Sequence, residues 1–322
     1  MDPKKLRDVA RHVFGQLSGA VVTTMIVLGG RLGLYRAMLG AGPLSAAEVA
    51  AKTGLNERWV LEWLRNQGAA GILTVHGEDR FELSEEAGAI LGNEAHPAFG
   101  MGFFEQLPTF VSVLEKLPEA FRSGLGLPYD ALGPEGASGV ERGFAPWFRA
   151  FLVPVVLPKL EGVVDKLRTG ASVADVGCGA GVALLEMAKA FPKSEFHGYD
   201  ISKHALSRAE RNKQAAGVSN ATFHDASGDR LPSDGSHDLV TAFDCIHDMA
   251  HPAEVIAAIR RSLKADGTWL VVDIKGKATF ADNARENPMA AMMYGFSVLA
   301  CMSSALSEPG GAGLGTLGFH EA

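Results

Sequence analysis

The feature that most constrains this chain is the run Asp175-Val176-Gly177-Cys178-Gly179-Ala180-Gly181, which ends an apolar segment and opens a helical pattern at Val182. Glycines in such a loop let the backbone turn sharply and approach a ligand that a Cβ would push away. The helix behind it offers unsatisfied N–H groups to an anion. A dinucleotide fingerprint would read G-x-G-x-x-G, but position 182 is Val and the third glycine comes one residue early. Asp175 suits a cationic amino group, as in an amino-acid ligand, and is a poor neighbour for pyrophosphate.

Around this loop the pattern alternates between strand and helix. Ser172–Val176, Glu195–Tyr199, Ala221–His224, Leu239–Phe243 and Thr268–Ile274 read as strands. Helical patterns at Val182–Ala190, Lys203–Ala216 and Ala253–Leu263 lie between most of them. Such repeats predict right-handed crossovers and a parallel, doubly wound sheet. The connection from Ser227 to Ser236 is too polar and glycine-rich for a long helix. Ligands of such sheets bind beyond the C-terminal strand ends, where the strand order reverses. Asp200 stands there, 19 residues after Gly181, and can accept from both hydroxyls of a ribose. Asp225-Ala226 ends the third strand, where a carboxylate can accept from an adenine amino group and a backbone N–H can donate to the ring.

Before this half, residues 15–90 read as helices and a hairpin. Ser45 with Glu48 has the spacing of a capping box, Gly54 ends that helix, and Asn56 caps the next. Ile72–Val75 and Arg80–Leu83 form the hairpin, and Ser84 starts another helix. Helix, turn, helix and wing make a winged-helix unit. Its second helix carries Glu57, Arg58, Glu62 and Arg65, which sum to zero charge, whereas a DNA-reading helix presents a cationic face. Trp59 and Trp63, four apart, suit burial or a dimer contact.

Residues 170–275 resemble class I S-adenosylmethionine-dependent methyltransferases, on D-x-G-x-G-x-G at 175–181 and the acids at three strand ends. With Gly54–Leu64 ahead of it, the whole chain resembles a bacterial group of these enzymes that carry an N-terminal winged helix. The resemblance implies an α/β fold, a Rossmann-like doubly wound, mainly parallel sheet preceded by an α-rich winged-helix domain. The expected domains are a winged helix over 1–91, a helical connector or substrate cover over 92–168, and the cofactor domain over 169–322. S-adenosyl-L-methionine is the implied cofactor, with contacts at Asp175, Gly177, Gly179, Gly181, Asp200, Ile201, Asp225, Ala226 and Phe243. In related small-molecule O-methyltransferases the winged helix helps form a dimer, so a homodimer through the N-terminal domain is expected.

Methyl transfer to a hydroxyl needs a base near the methyl group, held with the acceptor in line with the breaking bond. The fourth strand runs into Phe243-Asp244-Cys245-Ile246-His247-Asp248-Met249. His247 has a suitable unperturbed pKa, about 6.5. It is similar in placement to the His of the His-Asp pair in plant-type O-methyltransferases, the catalytic base there. Packing or loop capping is the other reading of His247. Asp248 caps the segment before Pro252 or orients the imidazole, and Asp244 contacts the cofactor amino group or the substrate. Cys178 and Cys245 read as small neighbours of the cofactor. No pair shows metal-ligand spacing, so a metal is not expected.

The connector is the least legible part. A helix is expected around Phe110–Phe121, and Phe144, Trp147, Phe148 and Phe151 recur at helical spacing, as core packing or a pocket wall. Beyond Ile274 a Met- and Ala-rich helix, about Asn287–Ala305, stands where this fold family adds a hairpin. Lacking it, the fifth strand would be an exposed edge.

A net charge of −7 gives no basic field for nucleic acid or an anionic membrane. Three scattered cysteines argue against a disulfide framework and for a reducing, cytoplasmic compartment. The apolar run Leu17–Gly30 is shorter than a membrane span and reads as a buried helix. The leading reading is a methyltransferase acting on a small molecule by O-methylation. The main alternative is a winged-helix DNA-binding regulator with a cofactor-sensing domain. A nicotinamide-dependent reductase is disfavoured by Val182 and Asp175.

Overall fold

The computed structural model describes residues 1–321, with side chains through 318. Two compact units form: Met1–Leu107 with Arg142–Pro146, and Pro108–Glu141 with the chain from Trp147 onward. Residues 92–168 contribute to both.

In the first unit, helix α1 (Pro3–Arg31) starts at Asp2, whose carboxylate accepts the Lys4 N–H at 2.8 Å. The expected short buried helix is corrected here. The helix runs 29 residues, and only its C-terminal part, at Ile26, Val27 and Gly29, is buried. Its most apolar stretch has a mean hydropathy of 1.6 and is long and apolar enough, by length and composition, to cross a membrane. The sequence reading failed because polar residues interrupt the run without ending the helix.

The winged helix follows. Strand β1 (Leu44–Ser45) leads into α2 (Ala46–Thr53), where Ser45 and Glu48 close a reciprocal capping box and Gly54 ends the helix in the left-handed region. Asn56 caps α3 (Glu57–Ala69) by accepting the Arg58 N–H at 3.0 Å. The wing pairs β2 (Thr74–His76) with β3 (Arg80–Glu82), and Ser84 caps α4 (Glu85–Leu91). The core gathers Leu34, Tyr35, Met38, Val49 and Leu64. Trp59 and Trp63 do not act as one stripe: Trp63 is 4% exposed and edge-on to Tyr35, while Trp59 is 79% exposed. The two stand one turn apart, yet only Trp63 packs into the core.

The second unit holds a parallel sheet of β4 (Ser172–Val176), β5 (Glu195–Asp200), β6 (Ala221–Asp225), β7 (His237–Phe243) and β8 (Leu263–Val272). Helices α5 (Val182–Ala190), α6 (Lys203–Ala216) and α7 (Pro252–Ser262) make crossovers, and no helix stands between β6 and β7. The order β6-β5-β4-β7-β8 means that the chain winds outward from β4, then returns to its other side. The switch point therefore lies between β4 and β7, at the mouth of the glycine loop. Leu184, Met187, Phe196 and Leu239 fill one side of the sheet. Val176, Tyr199, Val240 and Ile259 belong to the cluster on the other.

Several expected boundaries move. Strand β8 begins at Leu263 and ends at Val272, leaving Asp273 and Ile274 just beyond the sheet. The helix expected over 110–121 is two, Leu107–Val113 and Leu117–Ser123, because Pro118 starts a new first turn. The helix expected over about 287–305 forms as Ala290–Ala305, with a π-helical stretch at Ser297–Cys301 inside it.

Candidate functional site

The glycine loop leaves β4 with three left-handed glycines: Gly177 at φ 69°, Gly179 at 53° and Gly181 at 74°. Their reasons differ. A Cβ at Gly177 would stand 2.7 Å from Cys245, and one at Gly181 would meet the Phe223 ring. At Gly179 nothing lies within 4 Å of that position, so its missing side chain leaves room facing outward. The loop is pinned from the neighbouring strand. The Tyr199 carbonyl accepts from Gly177 N–H, at 2.8 Å, and from Cys178 N–H. Asp200 Oδ2 accepts from the Gly179 N–H at 2.8 Å, while its Oδ1 accepts from the Ser202 N–H at 2.7 Å.

Asp175 is 2% exposed and its Oδ1 accepts from the Thr241 hydroxyl at 2.6 Å. Burial pushes its carboxyl up to about 7, against the lowering by Thr241. Burial also raises Asp200, although backbone N–H groups hold it down. Asp225, at the end of β6, is lowered by hydrogen bonds from the hydroxyl and N–H of Ser227. The Ala226 N–H donates to the Asp200 carbonyl at 2.9 Å. The expected donation from Ala226 to an adenine ring is thus corrected: that N–H already ties β6 to β5. Ile201 is 60% exposed beside Asp200, an apolar surface at the ligand side of the sheet. Phe243 packs with Phe148 and Trp147, at ring distances of 5.0 and 6.5 Å. The stripe expected at 144–151 is divided, since Phe144 meets Phe103 instead.

Beyond β7 the chain turns through Asp244, the one non-glycine residue in the left-handed region among the described residues, at φ 51°. Such a conformation costs on the order of 1 kcal/mol and marks a place where the side chain's direction matters. Its Oδ1 is buried without a partner, and burial raises the carboxyl to about 7.

The short helical turn Ile246–Asp248 then buries His247, which is 1% exposed. Its Nδ1 lies 2.7 Å from Asp273 Oδ1, which also accepts from the Ile274 N–H. A carboxylate accepts, so Nδ1 carries the proton and Nε2 is directed the other way. Burial alone would lower the imidazole. The Asp273 hydrogen bond and the charges of Asp248, Asp273 and Asp244 outweigh it and raise the group to about 9. Asp248 does not orient Nδ1: its Oδ1 lies 3.2 Å from Nε2 without hydrogen-bond alignment. Tyr129, on the cover, is half-buried, and desolvation with the charges of Asp248, Asp200 and Asp244 raises its phenol.

Asp273, Tyr129 and Cys301 were not singled out in the sequence. Asp273 had a signal, an acid ending an apolar strand as Asp175, Asp200 and Asp225 do. Tyr129 and Cys301 had none, because their positions follow from chain folding over the sheet.

Residues 167–308 match the family described as "Methyltransferase domain" and residues 20–93 the one described as "Rv2258c-like winged HTH domain". The chain therefore joins a class I S-adenosylmethionine-dependent methyltransferase domain to a winged-helix domain. It is 33% identical over 127 residues to a ribosomal RNA small subunit methyltransferase C of Shewanella denitrificans, covering 36% of this chain and 32% of that one. The chain spans between 32% and 53% of the length of the curated relatives reported for it. In fold it is similar to an O-methyltransferase family protein from Burkholderia thailandensis, with TM-score 0.65, 18% identity and 97% and 88% of the two chains covered. It is also similar to human N-acetylserotonin methyltransferase in complex with SAM, with TM-score 0.64, 18% identity and coverage of 94% and 87%. The residues fit that cofactor: the space over Gly179 that a Cβ would fill, the Asp200 carboxylate beside it, and the orphaned Asp244 oxygen.

Proposed function

We propose that this protein methylates a hydroxyl of a small molecule, with His247 as the base. The observation that carries this reading is the Asp273–His247 contact of 2.7 Å at the end of β7, beside the loop that fits the cofactor. Bound S-adenosylmethionine supplies an electrophilic methyl group. Gly177, Gly179 and Gly181 shape its cradle, Asp200 accepts from ribose hydroxyls, and Asp175, Ile201, Asp225, Phe243 and Asp244 line the remainder. Asp273 holds the proton on Nδ1 and so leaves the Nε2 lone pair to take a proton from the acceptor. Asp248 and Asp244 stabilise the imidazolium that results. Burial of His247 excludes the water that would otherwise compete.

The regulator reading is weakened by the second helix of the winged unit, where Arg58 is paired with Glu62 rather than left for a phosphate. We assign α1 instead to a second copy of this chain. Leu6, Val9, Val13, Leu17 and Val21 are exposed and recur every three or four residues along one face. A homodimer through this face, in a reducing compartment such as the cytoplasm, suits the unpaired cysteines.

The test is a His247→Ala variant supplied with labelled cofactor and a panel of phenolic and alcoholic acceptors. Turnover should fall by about 10² to 10⁴, the worth of a positioned base, with cofactor affinity unchanged. Unaltered turnover would remove the base assignment. Absence of transfer to every acceptor, with DNA bound at moderate salt, would favour the regulator.

A further inference from the structure

Three side chains with different donor atoms converge on the outer face of His247. A ring nitrogen of His247, a carboxylate oxygen of Asp248 and Cys301 Sγ all lie within 4.8 Å of one another, although Cys301 stands 53 positions after Asp248 in the chain. Sequence spacing gave no sign of this, because Cys301 arrives from a helical segment beyond the sheet.

The contact of 3.2 Å between His247 Nε2 and Asp248 Oδ1 lacks the alignment of a hydrogen bond, and that oxygen is buried without a partner. Two ligands of a tetrahedral zinc ion, each about 2.0–2.1 Å from the metal, stand about 3.3 Å apart. The spacing therefore suits an ion held between the two atoms. The thiol of Cys301 lies against Asp248, completing a set of nitrogen, oxygen and sulfur donors. Behind the imidazole, Asp273 accepts from Nδ1, the outer-shell arrangement that fixes a metal-ligating histidine in the required tautomer. His247 is 2% exposed and Asp273 7% exposed as side chains, and Asp273 Oδ2 is also buried and unpartnered. This pocket holds more carboxylate oxygen than its protons and donors satisfy, which a divalent cation corrects.

We propose that His247, Asp248 and Cys301 form a binding site for a zinc-class divalent ion, which inhibits the protein by occupying the Nε2 lone pair. Zinc is favoured over magnesium or calcium, because those ions select all-oxygen ligand sets. Binding displaces the proton of the thiol, and that of Nε2 where the imidazole carries one, to solvent and leaves the metal oxidation state unchanged. The inhibitory part rests on the reading of His247 as base; the binding part does not.

The test uses the full chain, stripped of metal and titrated with Zn2+ by calorimetry and with Co2+ by absorption. One ion per chain should bind at micromolar concentration or below, with a thiolate-to-cobalt charge-transfer band. Cys301→Ser should lose that band and weaken binding at least tenfold, while cofactor affinity shows that the fold is kept. Asp248→Asn should weaken binding likewise. Binding that is unchanged in both variants, or absent in the wild type, overturns the site. In the activity arm, Zn2+ should inhibit methyl transfer by the wild type and lose potency at least tenfold against Cys301→Ser. Equal inhibition of both overturns the inhibitory role, and a missing methyltransferase activity leaves the calorimetric result to decide the binding.

Discussion

Asp273 Oδ1 lies 2.7 Å from His247 Nδ1, joining the residue just past β8 to the turn just past β7. The pairing is possible because β7 and β8 are parallel neighbours whose C-terminal ends reach the same edge, with Phe243 opposite Val272. It gives the imidazole one tautomer, one direction and a raised proton affinity.

That relationship predicts a pH effect. A base acts when neutral, so the wild-type rate should climb with pH through a value near 9. Asp273→Asn removes a charge and weakens a hydrogen bond that favour the imidazolium, so the rise should move to lower pH. The plateau should fall about 10-fold or more as orientation is lost. A pH profile of kcat/KM checks both, and an unmoved limb with a merely lower plateau would mean that Asp273 only packs.

Two of the loop glycines should separate cofactor binding from folding. Gly179→Ala places a Cβ in open space at the cost of a left-handed backbone, about 1 kcal/mol of stability. On the proposed cradle, cofactor affinity should fall at least tenfold, because the added Cβ takes up that space. Gly181→Ala drives a Cβ into Phe223 and should cost about 2–3 kcal/mol in stability as well. Calorimetry of cofactor binding beside thermal melts reads the two apart.

Asp200 holds the Gly179 and Ser202 N–H groups with its two oxygens. Asp200→Ala should therefore weaken cofactor binding more than Asp225→Ala, whose carboxylate accepts from the N–H and hydroxyl of Ser227. Dissociation constants for the two variants test the order.

In the winged unit, the Tyr35 hydroxyl donates to Gln67 Oε1 at 2.5 Å with both side chains buried. Tyr35→Phe leaves that oxygen unsatisfied and should cost about 1–3 kcal/mol. Chemical denaturation measures it, provided that the slope is unchanged.

The α1 stripe predicts a dimer that a charge dissolves. Sedimentation should show two chains per particle in the wild type and one in Val13→Glu with Leu17→Glu, since carboxylates in an apolar seam are costly to bury. A wild-type monomer that floats with lipid vesicles would assign the helix to a membrane instead.

Much of the site was legible because its signals are local. A glycine needed for φ near 70° and an acid at a strand end can each be read where they stand, as Gly177, Gly181, Asp175 and Asp200 were. The capping pair Ser45 and Glu48 is local in the same way, three residues apart and closed as expected. The failures are nonlocal. Trp59 and Trp63 share a spacing that fits one face, yet only the core's position decides that Trp63 is covered. Ala226 was read as a free donor because sequence does not show that Asp200 reaches it across the sheet.

By itself the sequence determined the alternation of strands and helices, the glycine loop at the switch point, and hence the class of cofactor. Those follow from backbone preferences and from the period of apolar residues, which act within a few positions. Only tertiary structure decided what surrounds His247. Asp273, Cys301 and Tyr129 come from three distant segments, and their meeting depends on parallel strands ending together beneath a folded cover. The loop's shape follows from local conformation, while the proton affinity of His247 is set by charges that only the assembled sheet brings within reach.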